Sequence, residues 1–264
     1  MTDQKRRGIY LLPNLLTTAG LFSGFFAVVS SMNGRFEAAA IAIFVAMVFD
    51  GLDGRVARMT NTQSEFGAEY DSMADMVSFG VAPALVAYNW GLSGLGKIGW
   101  LAAFIYVAGA ALRLARFNTQ IGIADKRYFQ GLASPAAAAL VAGLIWVGVE
   151  YEVNGQDYGI IVAFITGMSG LLMVSNFKYN SFKELNLHGK VPFVALLIVM
   201  LIFVVVATEP ALVLFIVFAL YALAGPINTF RTVDKVRLEH VVGDPDEQDD
   251  DFKVEDETKP KEMP

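Results

Sequence analysis

Long stretches of this chain carry no charged side chain: residues 10–34, 77–96, 98–112, 128–149 and 158–177. A further stretch, 191–230, carries only Glu209. An apolar run of about 18 or more residues can cross the hydrocarbon of a bilayer as a helix, which satisfies its own backbone hydrogen bonds there. The expected architecture is therefore all-α, a polytopic membrane bundle of about eight transmembrane helices. The spans are placed near 11–32, 35–58, 71–90, 97–117, 133–150, 158–176, 191–208 and 210–228. Charged residues make up 17% of the chain, below the roughly 25% of soluble domains.

Basic residues give these spans a direction. Lys5, Arg6 and Arg7 precede the first; Arg55 and Arg58 close the second; Arg113, Arg116, Lys126 and Arg127 end or follow the fourth. Lys178, Lys183 and Lys190 lie between the sixth and seventh, and Arg231, Lys235 and Arg237 follow the eighth. An even number of spans puts all of them on one side, which the positive-inside bias makes cytoplasmic. The opposite loops hold only Arg35 and Lys97. Both termini are expected in the cytoplasm, and the expected location is a bacterial cytoplasmic (inner) membrane.

Three regions follow. Residues 1–10 read as a cytoplasmic N-terminal segment, 11–228 as the transmembrane domain, and 229–264 as a cytoplasmic, acidic, mostly disordered tail. Within that tail, 244–264 holds ten acidic residues and three lysines. It accounts for more than the whole net charge of −6, and such a segment buries too little apolar surface to fold alone. Cysteine is absent, which removes disulfides, thiolate metal sites and a cysteine nucleophile. No nucleic-acid partner is expected. His188 and His240 stand isolated in polar segments and are read as solvated.

Against this background, four aspartates stand out in VFDGLDGRVARMTNTQSEFGAEYDSMADMVSFG, residues 48–80. Asp50, Asp53, Gly54, Ala57 and Arg58 fall on one face of a helix, and Gly67, Asp71 and Asp75 on one face of the next. Ser64 and Ser78 lie near the second stripe. Side by side, the two helices bring four carboxylates together, and like charges so close repel strongly. A hard divalent cation with oxygen ligands, Mg²⁺ or Mn²⁺, resolves that conflict. Two ions can be held if two aspartates bridge, an arrangement suited to phosphoryl chemistry. Arg58 can bind phosphate oxygens, and Gly54 and Ala57 leave room beside the backbone. A single aspartate at a helix end is usually solvated or paired with an arginine; four on matched faces beside a membrane read as functional.

The pattern D-x-x-D-G-x-x-A-R, eight residues, then G-x-x-x-D-x-x-x-D resembles the signature of the CDP-alcohol phosphatidyltransferases, with every position filled. The likeness extends over about 8–190, through LLPNLLT (11–17), DSMADMVSFGVAPA (71–84), ALRLARFN (111–118), FQGLASPAAAA (129–139) and MVSNFKYNSFKEL (173–185). These segments are similar to the bacterial members of that family that use L-serine as acceptor. Members that act on glycerol 3-phosphate usually have Pro and Lys where this chain has Ser72 and Met76. Ala133 departs from the proline common in the serine-using members.

The resemblance implies a reaction. CDP-diacylglycerol enters from the bilayer, with its cytidine near Gly54 and Ala57; Arg58 and Gly67 complete the donor site. Two divalent ions held by Asp50, Asp53, Asp71 and Asp75 clamp the diphosphate. Asp75 is the general base for the L-serine hydroxyl, and CMP leaves. The serine carboxylate needs a cation or several donors; the candidates are Arg113, Arg116 and Asn118, with Ser78 and Lys183 weaker. The arginines read equally well as positive-inside anchors. Asn14 and Thr17 are read as helix caps. Gly20 and Gly24 form a G-x-x-x-G, read first as packing within the chain and second as a dimer contact. A homodimer is the expected assembly. Trp90, Trp100 and Trp146 are placed at the membrane interface. Two other readings stay open: another small alcohol as acceptor, such as glycerol 3-phosphate or inositol phosphate, and a cation transporter. Transport predicts acids near the bilayer midplane in broken helices, not clustered at one end with an arginine and glycines.

Overall fold

The computed structural model describes residues 3–119, 128–180, 200–201 and 204–242. Eight α-helices are present among them: α1 Asp3–Met32, α2 Phe36–Thr60, α3 Glu65–Asp75, α4 Ala82–Ala87, α5 Lys97–Thr119, α6 Ser134–Glu150, α7 Gly159–Val174 and α8 Pro210–Val242. A short antiparallel ribbon, β1 Tyr128–Gln130 with β2 Lys178–Asn180, sets Phe129 opposite Tyr179. The architecture is an all-α bundle of the expected membrane type.

Leu11–Met32, Lys97–Thr119 and Pro210–Thr229 are long and apolar enough to cross a membrane, with mean hydropathies of 1.6, 1.7 and 2.2. Helices α6 and α7 are apolar but shorter, at 17 and 16 residues. Helix α2 is long, but the charges at its C-terminal end interrupt its apolar composition. Most of the expected span 191–208 lies outside the described residues, and 204–208 is helical. Helix α8 continues to Val242, past 228, where the membrane part was expected to stop. His188, Lys183 and 243–264 lie outside the described residues, as does the side chain of His240.

The span expected at 71–90 is not a single α-helix. Between α3 and α4 the chain runs as a π-helix over Met76–Val81, and after α4 a second π-helix covers Tyr88–Leu92. A 3₁₀ turn, Ser93–Leu95, ends the rod. The hinge before the rod is defined by its caps. Asn61 ends α2 in the left-handed region (φ 51°, ψ 41°), and cap N–H groups bond the carbonyls of Ala57 and Arg58. Asparagine tolerates that conformation better than most residues. Ser64 then caps α3, its Oγ accepting from the Gly67 N–H at 3.0 Å. A four-residue turn thus joins the two aspartate-bearing helices.

Small residues let the helices approach closely. Helix α1 lies along α2, α5 along α7, and α6 between α2 and α8. Gly20 faces the Ala46 carbonyl and Phe49, while a Cβ on Gly24 would stand 2.5 Å from Ser78 Oγ. The G-x-x-x-G stripe therefore packs inside the chain. Gly109 and Gly170 bring α5 and α7 into backbone contact. Helix α6 is the most enclosed, with Ala137, Ala138, Ala139, Val141, Ala142 and Ile145 fully buried. Large apolar side chains such as Phe22, Phe25, Trp100, Phe104, Ile160 and Phe164 face outward, as lipid contact requires. Trp100 fits its interfacial reading. Trp90 does not: it is only 7% exposed, because its ring fills the space left by Gly148 and Gly155. Trp146 is half-buried and packs on Phe44, ring centroids 5.9 Å apart.

Candidate active site

The turn at 61–64 folds α3 back so that the aspartate faces of α2 and α3 meet. Oxygens of Asp50, Asp53 and Asp71 lie within 4.8 Å of one another. The carboxyl groups of Asp50 and Asp75 come within hydrogen-bonding reach across the two helices, as do those of Asp53 and Asp71. Asp53 is buried and the other three are half-buried. With Thr17, Gly20, Ala46, Ala74, Ser78 and Phe79 they line one small cavity. Four like charges in a partly desolvated pocket are stable only with a cation or shared protons between them. The donors are all oxygen and come from two helices, a set that fits a hard divalent cation.

Thr17 is the residue the sequence reading misplaced. Helix α1 runs unbroken from Asp3 to Met32, so neither Asn14 nor Thr17 caps a helix end. Instead Thr17 Oγ1 lies 2.7 Å from Asp53 Oδ2 and 3.1 Å from the Pro13 carbonyl. It orients one carboxylate of the cluster from a third helix. Ser64, read as lying near the aspartate stripe, is the α3 cap.

Gly54, next to Asp53, and Ala57, one turn further, are half-buried, and Arg58 is exposed. A Cβ on Gly54 would lie 3.6 Å from Arg58 Nη1, so the arginine folds back over the glycine. Gly67 sits between Ser64 Oγ and Asn14 Oδ1, at 3.1 Å and 3.5 Å from a Cβ built there. Gly54, Ala57 and Arg58 thus lie in the last two turns of α2, and Gly67 in the first turn of α3.

The four acceptor candidates do not converge. Ser78, buried in the π segment, donates to the Gly20 carbonyl at 3.1 Å. Asn118 Nδ2 donates to Ser72 Oγ at 3.1 Å. Arg116 Nη1 reaches Asn176 Oδ1 at 3.4 Å. Ser78 lines the aspartate cavity, and Arg113 lies within electrostatic reach of Asp75 and Asp50 while its Nη1 donates to Ser134 Oγ at 2.7 Å. Ser134 and Asn176 were not singled out in the sequence, and neither belongs to a spacing pattern that would have marked it.

The fold and the cluster define the class. The chain belongs to the CDP-alcohol phosphatidyltransferase family, whose model matches residues 10–174. Among its relatives is the CDP-diacylglycerol–serine O-phosphatidyltransferase of Helicobacter pylori (strain ATCC 700392 / 26695), 37% identical over 229 residues, which cover 86% of this chain and 94% of that protein. The protein of the same description from Mycobacterium tuberculosis (strain ATCC 25618 / H37Rv) is 38% identical over 179 residues, 64% of this chain and 61% of its own. The archaetidylserine synthase of Methanothermobacter thermautotrophicus is 34% identical over 181 residues, 68% of this chain and 73% of that protein.

Proposed function

We propose that this protein transfers the phosphatidyl group of CDP-diacylglycerol to the hydroxyl of L-serine, giving phosphatidylserine and CMP. One observation carries the reading: four aspartates from α2 and α3 meet in a single pocket, in a chain alike over most of its length to serine-using transferases.

Asp50, Asp53, Asp71 and Asp75 would hold Mg²⁺ or Mn²⁺, as two ions. Bound there, the metal would neutralise charge on the diphosphate and on the leaving CMP. Thr17 holds the Asp53 carboxylate in place. Gly54, Ala57 and Gly67 leave space for the nucleotide, and Arg58 supplies a cation for its phosphates. Asp75 accepts the proton of the serine hydroxyl. The serine oxygen then bonds to the phosphorus that bears the lipid, and the bond from that phosphorus to the CMP oxygen breaks. On the acceptor side Arg113 lies near Asp75 and Ser78 lines the aspartate pocket, whereas Arg116 and Asn118 are turned to Asn176 and Ser72. The basic residues at the helix ends support a pocket on the cytoplasmic side of the inner membrane through the positive-inside bias, and a homodimer is the proposed assembly.

The test is an acceptor screen on the purified protein in detergent. CDP-diacylglycerol and Mg²⁺ or Mn²⁺ are supplied, and CMP release is followed with L-serine, glycerol 3-phosphate and inositol phosphate in parallel. Release with serine alone, abolished by a chelator, is the expected result. Release with another alcohol would keep the aspartate assignment and overturn serine. No release with any acceptor from folded protein would favour the transport reading.

A further inference from the structure

Arg113 is held in an unusual way. It sits near the C-terminal end of α5, half-buried. Its Nη1 donates to Ser134 Oγ at 2.7 Å, while its Nε is buried with no hydrogen-bond partner among the described residues. Ser134 is itself fully buried and opens α6. The preceding Ala133 is the N-cap, and no side chain caps this helix. The Ser134 hydroxyl is therefore turned away from its own helix and onto the guanidinium. A neutral hydroxyl fixes the orientation of an arginine without consuming its charge. A buried N–H left without a partner is costly, and a carboxylate is the planar group that takes Nε and a neighbouring Nη together.

The position of Arg113 narrows the choice of carboxylate. It stands within electrostatic reach of Asp75, the proton acceptor proposed above. In serine, two carbons separate the hydroxyl oxygen from the carboxylate carbon. A serine whose hydroxyl meets Asp75 therefore presents its carboxylate to a cation beside Asp75. Arg116 faces Asn176 instead and retains the anchoring role.

We infer that Ser134 is a positioning residue, which holds Arg113, among the candidates for the serine carboxylate, in the orientation that takes that group. This rests on the proposed transfer to serine. It gives the site a means to select a carboxylate-bearing alcohol over one of the same size without it.

The experiment uses the full chain in detergent with CDP-diacylglycerol and Mn²⁺. L-serine is compared with serinol, in which a hydroxymethyl group replaces the carboxylate. Ser134→Ala and Arg113→Lys should each raise KM for L-serine about tenfold or more, with KM for CDP-diacylglycerol changed less than about twofold. The preference for serine over serinol should fall by the same factor. As a second readout, L-serine should raise the melting temperature of the unsubstituted protein and not that of either variant, and serinol should raise neither. A serine KM in Ser134→Ala within twofold of the original overturns the inference, as does a parallel rise in both KM values. Serine-independent CMP release from the unsubstituted protein, seen only with another acceptor, would instead remove the transfer reading on which the inference stands.

Discussion

At the scale of single residues, Thr17 shows how the cluster is held. Its hydroxyl reaches Asp53 from a third helix, and hydrogen bonds to charged groups contribute about 1.5–3 kcal/mol. Thr17→Val should therefore raise the Mn²⁺ concentration needed for half-saturation about tenfold, read as free Mn²⁺ by electron paramagnetic resonance. An unchanged titration would reduce Thr17 to a packing residue. Asp75→Asn should abolish CMP release and leave a folded protein in the membrane; full turnover would remove Asp75 from the chemistry. The aspartates were legible in the sequence because their spacing places them on matched helix faces before any tertiary contact is known. Thr17 was not, because a threonine in an apolar helix always has a local carbonyl to bond, here Pro13, and spacing does not reveal a partner 36 residues away. Arg113 and Arg116 likewise look alike in the chain. They differ only in what α6 and residue 176 set opposite them.

At the scale of elements, the α1 face is set by the absence of a side chain. A Cβ at Gly24 would meet Ser78 Oγ at 2.5 Å and Ser78 Cα at 2.7 Å, so Gly24→Ala must push α1 off the π segment behind Asp75. Overpacking of this kind costs about 1–3 kcal/mol. The variant should melt at lower temperature and lose activity together. Gly51, in helix α2 with nothing within 4 Å of its Cβ position, is the control: Gly51→Ala should stabilise by about 0.5–1 kcal/mol. If both variants melt alike, the close approach is not what holds α1 in place. Most helices were readable as uncharged runs. The π segments were not, because MVSFGV and YNWGL have compositions that an α-helix accommodates equally well. Trp90 was misread for a related reason. Its place near a span end suggested the interface, but the hole left by Gly148 and Gly155 is formed only when α6 and the loop after it close over it.

For the whole molecule, orientation is the property that charge bias predicts and that labelling can read. The chain has no cysteine, so a single introduced thiol is unambiguous. Gln63, in the turn between α2 and α3, and Asn154, between α6 and α7, are both exposed. On intact cells a membrane-impermeant maleimide should label Asn154→Cys at once and Gln63→Cys only after permeabilisation. The reverse pattern would invert the proposed topology. The charge bias was legible because it follows from the counts of Lys and Arg in each loop. The course of the chain through 181–199 lies outside the described residues. The π-helix at Met76–Val81 also bears on how relatives can diverge. An α-helix turns about 100° per residue, and a π turn accommodates one extra residue without turning the rest of the rod. Losing one residue there would close the turn to an ordinary α-helical one and leave α4 facing as it does, whereas a further inserted residue would swing α4 and its buried face by about that angle relative to Asp71 and Asp75. A one-residue insertion in 76–81 should therefore be tolerated less well than a one-residue deletion there, whereas substitutions can remodel the floor of the pocket and leave the carboxylates where they are.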